Sequence, residues 1–285
     1  MARTTKGVLG PAGSKFEAKH WRAVTSPFEA VAYLRRMLWE PCAGAVLTSA
    51  RLAPLGSFAA TRASLGLSSG LSSGERVAQA RLDSPFDYSR SRLRIPRMVS
   101  LAQEVESHTA EVARQVRAIA AADDGLLVLF ASARQLREVR TRMDGAREGE
   151  LFVQGELPVQ EILAGHREAI AAGARSVILG LASFAEGIDL PGRLCTRVVI
   201  AKLPFPAPDE PLVAAACEWI ERAGGSSGFA AVSLPRGATR FQQAIGRLVR
   251  SVSGWGEVIV LDRCLASSAY GKRMLAPVPM RVLVA

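Results

Sequence analysis

A chain of 285 residues that is 49% hydrophobic and 22% charged has enough apolar content to bury a sizeable core, which excludes a disordered polypeptide. The formal net charge of +10 points to a polyanionic partner, because phosphates attract basic side chains and release counterions on binding. Lys is scarce beside Arg, so the excess also fits an Arg-heavy codon usage.

In chain order, residues 10–14 read as loop and 27–39 as an amphipathic helix, with Phe28, Val31, Leu34 and Leu38 at helical spacing. A strand is expected at 45–49. Residues 64–74 are rich in Gly and Ser and read as a surface loop. Residues 104–121 predict a helix, with Val105, Val112, Val116 and Ile119 on one face. Strands follow at 126–131, 151–154, 176–181, 197–202 and 257–261. They are rich in Val, Ile, Leu and Phe with little polar alternation, as in parallel strands buried on both faces. Helices are expected at 132–143, 159–172, 210–222 and 239–251. This alternation argues for an α/β fold with a doubly wound, mainly parallel sheet.

Cys42, Cys195, Cys217 and Cys264 lie far apart with no C-x-x-C spacing. No zinc site or iron–sulfur cluster is read from them, and reduced, partly buried thiols are expected. Nothing in residues 1–21 has the apolar stretch of a signal peptide, and no apolar run is long enough to span a membrane. A cytoplasmic location is expected.

Ligands of open α/β sheets bind at the carboxyl ends of the strands. The segment of residues 243–250 reads Q-A-I-G-R-L-V-R. On a helix, Gln243, Arg247 and Arg250 form one stripe, while Phe241, Ile245, Leu248 and Val249 face the core. Two guanidiniums beside an amide suit phosphate; the alternative is a solvated Arg face. Gly246, costly inside a helix, points to close approach by a ligand or another segment. Residues 183–189, S-F-A-E-G-I-D, follow a buried strand. Gly187 between Glu186 and Asp189 lets backbone approach a ligand, and Asp189 suits a ribose or an Arg; the alternative is a helix-capping turn. Thr48 and Ser49 end the strand at 45–49. Ser132 is expected to cap a helix beside Arg134, where a phosphate could bind. His108 and His166 are expected at the surface and His20 outside the core, so no acid–base pair for an unrelated α/β enzyme is found.

Taken together, the set resembles the C-terminal motor domain of superfamily 2 helicases, nearest to the DinG branch of the DinG/XPD-like family. Residues 48–50 resemble motif III, 130–132 motif IV, 183–189 motif V and 243–250 motif VI, with Q-x-x-G-R-x-x-R intact. Flanks at 82–86, 95–98, 202–206, 255–258 and 270–273 look alike too. The resemblance implies a P-loop-NTPase, RecA-like fold at 41–285, with 1–40 the end of, or linker from, a missing first motor domain. It implies ATP and Mg²⁺ bound jointly with that domain. Arg247 and Arg250 would act as arginine fingers, Gln243 would orient the hydrolytic site, and Glu186, Gly187, Asp189 and Gly246 would line the nucleotide. Thr48 and Ser49 would couple the domains; Ser132, Arg134 and Lys202 would touch the backbone of single-stranded or forked DNA in DNA repair.

No Walker A loop, G-x-x-x-x-G-K-[ST], occurs, and the acidic metal box is absent, as are the iron–sulfur cysteines. Arg51 stands where motif III usually has its second Thr. The chain is therefore expected to be the C-terminal part of a helicase and inactive alone. The alternative is a non-enzymatic single-stranded-DNA-binding or regulatory module derived from one.

Overall fold

The computed structural model describes residues 30–67, 77–121, 125–143, 151–181, 184, 187–224, 227–249 and 254–285. The expected loop at 10–14, most of that at 64–74, His20, Ser183, Glu186 and Arg250 lie outside the described residues.

Among the described residues, seven parallel strands form one sheet: β1 (Ser91–Ile95), β2 (Gly125–Phe130), β3 (Leu151–Val153), β4 (Ser176–Leu181), β5 (Arg197–Ile200), β6 (Gly256–Val260) and β7 (Arg281–Val284), in the order β3-β4-β2-β5-β6-β1-β7. Every residue of β2 is buried, as its unbroken apolar run requires. One face carries α3 (Val105–Ala120) and α4 (Ala133–Arg142). There Val112, Val116, Ile119, Leu136 and Val139 meet Leu126, Val128, Leu179 and Val199. The other face carries α5 (Val159–Ala171), α7 (Leu234–Ile245), α8 (Cys264–Ser267) and α9 (Ala269–Leu275). Ile162, Leu234, Phe241, Leu265 and Met274 pack there on Leu127, Leu129, Ile178 and Val258. α6 (Pro211–Arg222) starts with Pro at its first position, where no N–H is missed. The sheet is thus doubly wound. Among the described residues no helix is long and apolar enough to cross a membrane.

Several expectations are corrected. Residues 45–49 form no strand; they stand exposed outside the sheet, Val46 at 90%. A strand exists only by pairing, and this segment meets no ladder. β1 and β7 went unread. β1 reads S-R-L-R-I, apolar on one face only, and β7 has four residues at the sheet's edge. The helix at 27–39 is present from α1 (Ala30–Leu34) through a wide turn to Trp39, whose Nε1 donates to the Leu65 carbonyl of α2 (Ala59–Leu65) at 2.7 Å. Val105, expected on the core face of α3, is about half exposed.

Both described histidines are buried, against the surface position expected. His108 is fixed between α3, α4 and β6: Nε2 donates to the Leu261 carbonyl at 2.8 Å and Nδ1 accepts from Gln135 at 3.1 Å. His166 of α5 donates Nε2–H to the Leu194 carbonyl at 2.7 Å, with Ser176 Oγ 2.7 Å from Nδ1. Burial, above all, pushes the His166 imidazole below its usual pKa; the Leu194 carbonyl works against this and the Arg167 charge adds to it. A depressed folded-state pKa favours the neutral form in the fold. Its contribution is complete above the unfolded value of about 6.5 and is lost as pH falls below that. The urea midpoint is expected to fall between pH 7.5 and 5.5, and to fall less in His166→Gln. An equal fall in both proteins would rule out this residue as the cause.

β2 opens on Gly125, where a Cβ would overlap the backbone carbonyl of Leu194. Gly125→Ala is expected to cost about 1–3 kcal/mol, the usual penalty of overpacking, read as a lower denaturant midpoint with an unchanged slope.

Candidate functional site

The carboxyl rim of the sheet gathers the turn after β4 and the end of α7. In the turn, Ile188 and Leu190 are buried and anchor it, while Gly187 and Asp189 face out. Gly187 has φ +86°, a left-handed conformation natural only to Gly, and, its chain neighbours apart, no atom of the described residues lies within 4 Å of where a Cβ would stand. Backbone is therefore open to a ligand here. The Asp189 carbonyl accepts from Arg167 of α5 at 3.4 Å, and the Asp189 side chain is exposed.

α7 ends sooner than its sequence pattern suggests. The helix stops at Ile245, and Gly246 is its C-cap at φ −65°, ψ −2°. Arg247 N donates to Ala244 O and Leu248 N to Ile245 O, both at 3.1 Å, so a tight turn replaces the last helical turn. Gly246 is thus no interior glycine. The atoms nearest to a Cβ there are carbonyls of its own helix, so of the two approaches expected, that of another segment is not found among the described residues. The tight turn leaves Leu248 and Val249 in the core with Phe241 and Ile245, as expected.

It also turns Arg247 inward. Nη1 donates to the Ile188 carbonyl at 2.8 Å, tying the end of α7 to the Gly187–Ile188–Asp189 turn 59 residues away. The residue is only 9% exposed, not looking out of the rim, and its Nε is buried with no partner. A guanidinium is charged at any working pH, and a buried donor left unpaired is costly. The site therefore holds positive charge only partly compensated. Gln243 is half-buried on α7. Its neighbour Gln242, which sequence reasoning passed over, donates Nε2–H to Pro54 O at 2.8 Å. Pro54 is buried and Leu55 packs on the core, so residues 54–55 are fastened to α7. Thr48 and Ser49 stand exposed in the loop leading there, and Ser49 Oγ accepts from Arg51 N at 3.2 Å.

At the β2–α4 junction Ser132 has the extended backbone of an N-cap, φ −137° and ψ 129°. Its hydroxyl makes no capping bond, against expectation, and is left exposed. Arg134 is exposed and paired with Glu138 at 2.8 Å. Lys202 turns inward and donates to the Ala102 carbonyl at 2.9 Å, pinning the end of β5 to the loop before α3. Beside α4 a groove of about 580 Å³ opens at the carboxyl ends of β3 and β4, lined by Arg137, Arg140, Thr141, Gln154 and Glu156. Gln154 holds its wall by accepting from Leu181 N at 2.7 Å. Among the described residues no three His, Cys, Asp or Glu side chains are grouped to hold a metal ion, so no step through a metal is assigned to these residues.

The helicase C-terminal domain family matches residues 115–281. The ATP-dependent DNA helicase DinG of Escherichia coli (strain K12) is 38% identical over 253 residues, covering 87% of this chain and 34% of that protein. Its counterpart of the same name in Photobacterium profundum is 34% identical over 258 residues, covering 89% and 36%. The chain thus spans about a third of the length of these relatives. An XPD helicase structure superposes with a TM-score of 0.54 at 20% identity, over 70% of this chain and 36% of that one, a likeness of fold. With a RecA-like parallel sheet, an ordered set of motifs and this match, the chain belongs to the helicase C-terminal domain family, in its DinG/XPD-like branch.

Proposed function

We propose that the chain is the second motor half of an ATP-dependent DNA helicase. ATP is clamped between its carboxyl rim and a first motor domain that supplies the Walker A loop and the acidic metal box. The observation that carries this reading is Arg247, anchored by Nη1 on the carbonyl of Ile188, the residue after the open Gly187, with its Nε unpaired. Phosphoryl transfer needs positive charge preplaced where negative charge develops, and a braced guanidinium meets that need without reorganising.

In this reading Arg247 and Arg250 reach the γ-phosphate, Gln243 orients the attacking water, and Gly187 and Asp189, with Glu186, line the nucleotide. Gly246 ends α7 so that Arg247 can leave the helix axis. Thr48 and Ser49 sit on the segment that Gln242 holds at Pro54, and couple the two domains from there. The exposed Ser132 hydroxyl and Arg134 contact the backbone of single-stranded or forked DNA; Lys202 joins them only by releasing Ala102. Such contacts read no sequence, as translocation requires. The Mg²⁺ that accompanies ATP is held by the first domain. The test is ATP turnover with single-stranded DNA, measured for the chain alone and for the chain joined to a first motor domain.

A further inference from the structure

The amino ends of the strands, opposite the rim just described, carry a second concentration of charge. In sheet register Arg197, Glu257, Arg92 and Arg281 form one row across β5, β6, β1 and β7, and Arg94 lies two residues along β1. Glu257 is nearly buried. Its Oε1 accepts from Arg92 Nε at 2.9 Å and Arg94 Nε at 3.0 Å, and its Oε2 lies 3.7 Å from Arg197 Nε. One carboxylate thus faces three guanidiniums, and Arg281 stands at the next position of the same row.

The geometry of those bonds matters more than the count. Arg92 and Arg94 each donate Nε–H to Glu257, which fixes the side chain, while their terminal nitrogens make no other hydrogen bond among the described residues. The Arg92 side chain is 56% exposed and that of Arg94 33%. At about 3.3 Å per residue the two project from one face of β1 about 6.6 Å apart. Helices α3 and α4 cover this face over β2, β4 and β5, but Arg92 and Arg281 remain exposed. Planar forks held in place by a buried acid suit phosphate oxygens, because little side-chain freedom is left to lose on binding.

We propose that Arg92, Arg94 and Arg281 form a second site for the phosphate backbone of nucleic acid, on the α3/α4 side of β1 and β7. It goes beyond the nucleotide reading above and needs neither ATP nor Arg247. The full chain, without nucleotide, is titrated with fluorescent single-stranded and duplex DNA across a salt series, and with polyglutamate. The wild type is expected to bind DNA. Arg92→Gln/Arg94→Gln is expected to bind more weakly and to flatten the slope of log K against log salt by about 1.8 for duplex, two phosphate contacts' worth. Because that variant leaves Glu257 with Arg197 alone, Arg281→Glu provides a second reading, as Arg281 makes no ion pair with Glu257. It is expected to weaken DNA binding while keeping the thermal midpoint. DNA affinity and slope unchanged in Arg281→Glu would overturn the proposal, as would a wild type that binds no DNA. Loss of polyglutamate binding alone would assign the surface to an acidic protein and overturn it too.

Discussion

Replacing Arg247 by Ala, in the chain joined to a first motor domain, is expected to lower DNA-stimulated ATP turnover by about 10³-fold or more, with little change in KM for ATP. The reasoning starts from the side chain's unusual position. It is nearly buried, yet only Nη1 has an assigned partner, the Ile188 carbonyl, while Nε has none. A purely structural arginine would have its donors satisfied. One that must meet a transferred phosphoryl group keeps donors in reserve. Removing an incompletely paired buried cation costs the fold little, since its desolvation is relieved at the same time. The unfolding midpoint of the variant is therefore expected to stay near that of the parent while turnover collapses. Arg247→Lys should stay close to the Ala level, because a single ammonium cannot both hold the Ile188 carbonyl and present a fork. A midpoint that collapses together with activity, or full activity in the Lys variant, would mean that Arg247 only braces the turn.

Much of the fold was legible because the central strands are buried on both faces. Runs such as Leu126–Leu127–Val128–Leu129 leave little choice but the middle of a parallel sheet. β1 escaped because two of its five residues are Arg, and those arginines answer to Glu257 on a strand 165 residues away. Residues 45–49 were misread for the converse reason: an apolar and β-branched segment makes a strand only where a ladder meets it. The histidines were misread because a helix pattern tells nothing of partners such as the Leu261 and Leu194 carbonyls, which come from the end of β6 and from a short helical turn at Gly192–Cys195.

The candidate site was legible in its parts rather than in its joinery. The resemblance placed Arg247 and the Gly187 turn in one site, and they do meet. That α7 would stop at Gly246 and turn Arg247 inward depends on a C-cap inside a pattern that reads as continuous helix. The same limit hid Gln242, whose amide finds Pro54 188 residues away.

The second large effect concerns the division of labour between domains. The rim offers donors and an open backbone, but the sequence has no Walker A lysine, and among the described residues there is no metal-binding group. Donors without a phosphate cradle bind nucleotide too loosely to orient it for attack. Turnover by the chain alone is therefore expected to lie at least about 10³-fold below that of the joined protein.

The decisive measurement replaces the matching third of the Escherichia coli relative with this chain and follows ATP hydrolysis with single-stranded DNA. Hydrolysis by the joined protein and none by the isolated chain is the expected pattern, with Arg247→Ala silent in both. Robust hydrolysis by the isolated chain, or a joined protein that folds and binds ATP but turns over equally well without Arg247, would contradict the assignment.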